Sequence, residues 1–399
     1  MATTLLYHRD PLLLTFESRV VAHGTHGSRP SLILEATAFY PESGGQMGDH
    51  GTVRVDGAER KITDVQIDEQ AQVHHLLDDG PLPAIGATVS GSIEPARRRL
   101  FMALHTGQHL LSHSLLEVAR ADTVSCRLGE TACTVDVDVP ALTERALRDA
   151  EAHANAIIDD DLGVYAWFPD DAELAALPLR RRPKVNEHIR VVAIGGKDGE
   201  PLIDASPCGG THCTRTSQIG VLRVAGSEKY KGKTRVTFAA GARARRELTD
   251  EAAALRALAA ELSCGPLDVA AALTKVRSDV AAVSERMERL QGQVAESAAA
   301  QLATAHPAPA PIVAVLGDKA LVRAIGARLM SYDGRHALLA AQDGDGLHVL
   351  CVRGPGSTFD CSAFLKRVAS EHGGKGGGKP ERAEGRLPAG VDWAALTRG

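Results

Sequence analysis

Two short clusters of metal-binding side chains, about a hundred residues apart, constrain this 399-residue chain more than any other feature. The first, His105-Thr106-Gly107-Gln108-His109, lies in a stretch from Ala96 to Ala119 that is apolar all round at helical spacing. Residues four apart share a helical face, so both imidazoles can point at one centre. Taken alone, the pair also fits two ordinary helix histidines, and His113 offers a rival pairing with His109. No glutamate follows His105, which excludes the protease motif HExxH. The second cluster reads Cys208-Gly209-Gly210-Thr211-His212-Cys213. Its two glycines allow a tight loop in which a thiol and an imidazole turn towards one ion. Together His105, His109, Cys208 and His212 supply four donors of the types zinc favours. His113 and Cys213 stand beside them as competitors, and a glycine turn with a buried structural cysteine is the plain alternative.

The remaining text sorts into segments of different character. From Ser31 to about Ser92, short β-prone runs are cut by glycine-rich breaks, which predicts a small barrel or sandwich. Beyond the first helix, a second helical stretch spans about Ala141 to Ile158. Strand-like runs occur at Thr134 to Val139, Ile189 to Ile194, Gly220 to Val224 and Thr234 to Ala239, a mixture that predicts an α+β domain. Glu247 to Leu262 is helical again, and Ser263-Cys264-Gly265-Pro266 separates it from a heptad seam: Val269, Leu273, Val276, Val280, Val283, Met287, Leu290 and Val294. Such a seam serves a self-associating coil, a long hairpin, or an amphipathic helix packed on its own domain. The prolines of His306 to Pro311 favour an extended spacer, so residues 312–399 form a separate small α/β unit.

Composition limits the partners. With 45 Lys+Arg against 50 Asp+Glu, a net charge of −5 excludes a globally cationic nucleic-acid binder, so any such site must be local. From Lys366 onwards seven basic residues (Lys366, Arg367, Lys375, Lys379, Arg382, Arg386, Arg398) outnumber four acids, the sort of patch phosphates need. Only 2 Trp, 5 Tyr and 7 Phe are present, which argues against aromatic stacking as the main binding device. Seven dispersed cysteines without a C-x-x-C do not look like a disulfide framework. No apolar run reaches membrane length and no basic region precedes the N-terminal apolar residues, so a cytoplasmic protein without a membrane segment is expected. Gly373 to Lys379 matches a Walker A loop until Pro380 replaces the Mg²⁺-binding Ser or Thr, and no ATP is expected.

His105-x-x-x-His109 followed by Cys208-Gly-Gly-Thr-His212, with Thr216 and Ile219-Gly220 downstream, resembles the editing domain of alanyl-tRNA synthetases and their free-standing AlaX relatives. Phe39-Tyr40-Pro41-Glu42-Ser43-Gly44-Gly45-Gln46, then Gly48-Asp49 and Gly51, resembles the glycine-rich motif of that family's β-barrel domain. Gly373-Gly374-Lys375-Gly376-Gly377-Gly378-Lys379-Pro380 resembles the signature of the DHHA1 domain at the end of those synthetases. The motifs occur in family order over almost the whole chain. A synthetase would carry several hundred residues of catalytic core before the barrel, which leaves the long free-standing AlaX type as the expectation.

The resemblance implies an α+β protein: an N-terminal β-barrel (1–95), a zinc-containing editing domain (96–245), a helical hairpin or coiled coil (246–305) and a DHHA1-like α/β module (312–399). It implies hydrolysis of the ester joining serine to tRNA(Ala), with glycine as the second amino acid to consider. One zinc ion held by His105, His109, Cys208 and His212 either positions a water or acts as a template, because four protein ligands close a tetrahedron. Gln46, Thr106 and Thr211 are the candidate catalytic contacts, the threonines reading the serine hydroxyl unless they merely close local helix or turn bonds. Lys375, Lys379 and Arg382 are the candidate tRNA contacts, and a homodimer through the heptad helix or the C-terminal module is expected. A non-catalytic zinc-containing protein that binds tRNA or senses amino acids is the competing reading. No phosphoesterase domain accompanies the DHHA1-like segment, which disfavours a nuclease.

Overall fold

The computed structural model describes residues 2–183 and 188–397, so Arg398 of the basic run lies outside the described residues. The chain divides into two compact units, Met1–Ala254 and Leu255–Gly399. Both mix helices and strands.

Six strands of the first unit build its N-terminal part: β1 (Thr15–His26), β2 (Arg29–Leu34), β3 (Gly51–Val55), β4 (Ala58–Ile67), β5 (Val73–Leu77) and β6 (Thr88–Ile93). They close into an antiparallel barrel in the order β1-β2-β5-β4-β3-β6. Closure leaves no free sheet edge, and the period-two alternation of β6, with Val89, Gly91 and Ile93 inward, fills the interior. A Cβ at Gly91 would lie 2.5 Å from the Phe16 ring, so this strand needs glycine there. The buried His75 donates from Nδ1 to the Leu32 carbonyl (3.0 Å) and its Nε2 meets the Thr37 hydroxyl (2.8 Å). Burial lowers it to about 4, so it sits in the barrel as a neutral ring.

From the barrel the chain enters α1 (Pro95–Ala119), with proline in the first turn, where its missing amide costs nothing. Every residue from Phe101 to Ser112 is buried, as the all-round apolar pattern predicts. Around it lie β7 (Thr123–Leu128), β8 (Cys133–Val137), α2 (Glu144–Asp159), β9 (Val164–Trp167), α3 (Asp171–Ala176), β10 (Val191–Ile194), β11 (Asp204–Pro207), β12 (Leu222–Tyr230) and β13 (Lys233–Ala240). The strands form two sheets, β12-β13-β8-β7 and β9-β10-β11. Leu104, Leu111 and Leu115 of α1 join Val135, Phe238 and Ile158 in one core.

One buried ion pair ties α1 to the glycine-rich loop after the barrel's second strand. Arg98 Nη2 donates to Asp49 Oδ2 at 2.5 Å, and each side chain is 1% exposed. Arg98 also donates to the carbonyls of Ala38 (2.5 Å) and Pro11 (2.8 Å), while Asp49 Oδ2 accepts from the Tyr40 amide (2.7 Å). Both charges are thus fully hydrogen-bonded.

α4 (Gly241–Glu261) follows β13, and a break precedes α5 (Val269–Ala305), which runs 37 residues. In α5 only Ala295 and Ala299 are buried, in a core shared with Val322 and Leu339. The heptad residues from Leu273 to Val294 are 44–65% exposed, so the seam is not covered by its own domain. The second unit continues with β14 (Ile312–Leu316), α6 (Lys319–Leu329), β15 (His336–Asp343), β16 (Gly346–Arg353), α7 (Cys361–His372), β17 (Lys375–Lys379), β18 (Arg382–Pro388) and α8 (Trp393–Leu396). Its sheet order is β14-β15-β16-β18-β17. The glycine-lysine run, which resembles a phosphate loop in sequence, is a strand: β17 lies at the sheet edge, pairing Lys375 with Arg386 and Lys379 with Arg382. Asp49→Ala removes one partner of the buried pair and strands a guanidinium. Urea unfolding of the full chain should show a loss of about 3–5 kcal/mol; a loss below about 1 kcal/mol would show that the pair does not hold α1 to the loop.

Candidate metal centre

The four residues singled out by the two sequence clusters meet. The ligand atoms of His105, His109, Cys208 and His212 all lie within 4.8 Å of one another. Cys208 Sγ is 3.3 Å from Nε2 of both His105 and His212. Metal bonds of about 2.0–2.3 Å separate neighbouring donors of a tetrahedron by about 3.5 Å, so three nitrogens and one sulfur at this spacing fit a divalent ion such as zinc. His113 stands outside the cluster, its ring stacked on His153 at 5.7 Å. Cys213 is outside too: its side chain belongs to the apolar core, and burial raises its thiol to about 11.

Each imidazole is held from behind by its other nitrogen. His105 Nδ1 meets Gln46 Oε1 at 2.7 Å, and His109 Nδ1 meets Asp204 Oδ2 at 3.2 Å. Amide and carboxylate oxygens only accept, so both Nδ1 atoms carry the proton. His212 Nδ1 lies 3.2 Å from Thr106 Oγ1, whose own proton goes to the Met102 carbonyl at 2.9 Å; here too the imidazole donates. All three Nε2 atoms therefore face the centre, where their lone pairs serve an ion once any proton they carry has left.

Gln46 reaches this place through a two-residue turn. The amides of Ser43 and Gln46 bond each other's carbonyls (3.1 and 2.9 Å) across Gly44 and Gly45, both at positive φ. A Cβ at Gly45 would lie 2.7 Å from the Cys126 carbonyl oxygen. Gln46 Nε2 donates to Thr211 Oγ1 at 2.9 Å, so one amide couples the helical half-site to the loop half-site. In that loop Gly210 leaves room for the His105 ring, which a Cβ would approach to 2.1 Å. Gln46, Thr106 and Thr211 are all fully buried, behind the candidate ligands and outside the cavity lining.

Asp204 and Arg180 complete the support. Burial works against the Asp204 charge, but the His109 hydrogen bond and the Arg180 guanidinium, 2.6 Å away, hold it below the usual carboxylate range. Burial likewise opposes a proton on His109, yet Asp204 and Cys208 raise it to about 9. Cys208 falls well below a free thiol: burial opposes its charge, and His105 and His212 overcome that. Metal binding to such a site displaces protons. Arg190 Nη1 donates to the carbonyls of Cys208 (3.0 Å) and Gly210 (2.9 Å), tying the loop down, and its buried Nε has no partner among the described residues.

His105, His109 and Cys208 form part of the wall of a cavity of about 480 Å³, which Tyr40, Ser43, Arg181, Arg182 and Arg190 also line. That is the size of a small-molecule site. Asp204, Arg180 and Arg190 were not singled out in the sequence. Their signals were slight: an acid four residues before Cys208, and Arg180 at the head of an Arg-Arg-Arg run.

Two family models match. Residues 7–97 match tRNA synthetases class II (A), and residues 189–237, which include Cys208 and His212, match the threonyl and alanyl tRNA synthetase second additional domain. The alanyl-tRNA editing protein AlaX-L of Pyrococcus horikoshii is 28% identical over 96% of this chain and 94% of its own length. The chain is thus similar to an AlaX editing protein along nearly its whole length. The alanine–tRNA ligase of Natronomonas pharaonis is 28% identical over 97% of this chain, and that of Thermofilum pendens 33% identical over 60%. The chain spans only 42% and 26% of those ligases. The solved C-Ala domain of Aquifex aeolicus alanyl-tRNA synthetase aligns with 22% of this chain at 15% identity and a TM-score of 0.20, too remote to bear on the fold. Purified protein should carry one metal equivalent that His109→Ala abolishes, and Asp204→Asn should weaken metal affinity about 10–100-fold. Metal analysis and competition with a chromophoric chelator measure both; an Asp204→Asn affinity equal to wild type would remove Asp204 from the support.

Proposed function

We propose that the protein is a trans-editing hydrolase that cleaves serine from mischarged tRNA(Ala), with glycine as the second amino acid to test. The observation that carries this reading is the three-histidine, one-thiol cluster beside a cation-lined cavity, in a chain similar to AlaX-L along its length. The physical need is clear. A pocket that accepts alanine cannot reject glycine by size and poorly excludes an added hydroxyl, whereas a second site built to bind that hydroxyl can discriminate by roughly 10⁴–10⁵.

His105, His109, Cys208 and His212 would hold one zinc ion, which supplies Lewis acidity towards the ester or the serine hydroxyl. Gln46, Thr106 and Thr211 act as positioning groups: they fix the imidazole protons and join the two half-sites. Arg190 holds the Cys208–Gly210 carbonyls and adds a positive charge beside the ester. In the overall reaction water adds to the ester carbonyl and the bond to the ribose oxygen breaks, leaving free serine and a tRNA with an intact terminal hydroxyl.

Lys375, Lys379 and Arg382, exposed on the β17–β18 hairpin, are the proposed contacts to the tRNA backbone. A glycine edge strand keeps side chains from blocking close approach. The exposed heptad seam of α5 supports a homodimer, through α5 or through the C-terminal module, and a tRNA substrate is in keeping with a cytoplasmic protein. No single helix among the described residues is long and apolar enough to cross a membrane.

Deacylation of Ser-, Gly- and Ala-tRNA(Ala), with and without a chelator, tests the function. The His105→Ala/His109→Ala double variant and the chelated protein should both fall to the uncatalysed rate on Ser-tRNA(Ala). Full activity at zero metal content overturns the zinc assignment, and tight binding without hydrolysis favours a non-catalytic sensor. Changing Lys375, Lys379 and Arg382 together to Gln should make the dependence of log K on log salt shallower by about 2–3. An unchanged slope in a salt titration of tRNA binding would take the hairpin out of recognition.

A further inference from the structure

Aromatic residues are scarce in this chain, and nearly all are buried or half-buried. Phe168 is the exception. At 50% it is the one exposed phenylalanine among the described residues, and it lines the cavity of the candidate metal centre. A ring left in water at the wall of a ligand cavity gains nothing from folding there. Its place is fixed on both sides: β9 ends at Trp167, and Pro169 leads into the Asp170 capping box of α3.

His8 sits beside it. The two rings meet at 5.7 Å and 64°, and His8 Nε2 is 3.2 Å from the Gly209 carbonyl, next to the ligand Cys208. The aromatic pair is thus anchored to the metal loop itself. Arg181 and Arg182 line the same cavity. Arg181 donates to the Val124 carbonyl at 3.0 Å, and neither arginine has an ion pair among the described residues. Arg182 is exposed and Arg181 half-buried, and guanidinium groups without a carboxylate partner are available to an anion.

We infer that Phe168, His8, Arg181 and Arg182 form a nucleotide shelf at the cavity wall, with the rings taking a purine base and the arginines the adjoining phosphate. The inference rests on the deacylase reading and deepens it. An aminoacyl ester hangs from the ribose of a terminal nucleotide, so an ester held at the metal centre leaves a base and a phosphate one nucleotide-length away. A cavity of about 480 Å³ holds one aminoacyl nucleoside and not a helix. Scarcity of aromatics excludes stacking along a whole strand, but a single base needs a single shelf.

Stacking on an aromatic ring is worth about 1–3 kcal/mol per base, or roughly a 5- to 150-fold change. Phe168→Ala should therefore raise KM for Ser-tRNA(Ala) about 10-fold, leave kcat within about threefold, and keep the metal content; Phe168→Tyr should restore KM. AMP, which carries both a purine and a phosphate, should inhibit the wild type competitively and the Phe168→Ala and Arg181→Gln/Arg182→Gln variants about 10-fold less well. A wild-type KM in Phe168→Ala with unchanged AMP inhibition overturns the shelf, as does a loss that Phe168→Tyr does not rescue. A wild type that binds AMP but hydrolyses no aminoacyl-tRNA overturns the deacylase reading and leaves the shelf standing.

Discussion

The buried pair between Arg98 and Asp49 sets the geometry on which the candidate site depends. Arg98 stands seven residues before His105 on α1, hence on the same face two turns away, and Asp49 stands three residues after Gln46. Fixing these two charges against each other fixes the helix against the loop. The 2.7 Å bond between Gln46 and His105 is a result of that register. Burying two charges is expensive, and the cost is met because Ala38, Pro11 and Tyr40 satisfy the remaining donors and acceptors.

The candidate metal cluster follows the same logic on a smaller scale. Its donors come from a rigid helix and a glycine loop, and each imidazole is oriented by a partner on a different element: Gln46 from the turn, Asp204 from β11, Thr106 from α1 itself. Glycine is required where chains nearly touch. Gly45 lies against the Cys126 carbonyl and Gly210 against the His105 ring, whereas Gly209 has open space around its would-be Cβ. Part of what reads as a motif is thus steric.

Much of this was legible in the sequence, for identifiable reasons. The four donors carry spacing signals of a helix face and a tight loop, and the structure brings them together. The all-round apolar run from Ala96 to Ala119 could only be a buried helix, and α1 spans Pro95–Ala119. What stayed hidden was set by tertiary context. Asp204 and Arg180 are ordinary charged residues until the fold sets them behind His109. The run Lys375–Lys379 looked like a phosphate loop because glycine's backbone freedom serves loops and crowded edge strands alike. β7 and β11 lack the alternation that would have marked them, one being half-exposed and the other almost wholly buried.

The heptad seam of α5 has a consequence outside catalysis. From Leu273 to Val294 it presents a continuous apolar line about 33 Å long to water. A chain built this way is colloidally uneasy at high concentration, so expression level and crowding bear on it before temperature does. Charged residues flanking the line, such as Arg277, Glu285 and Arg289, then govern how readily unlike chains adhere to it.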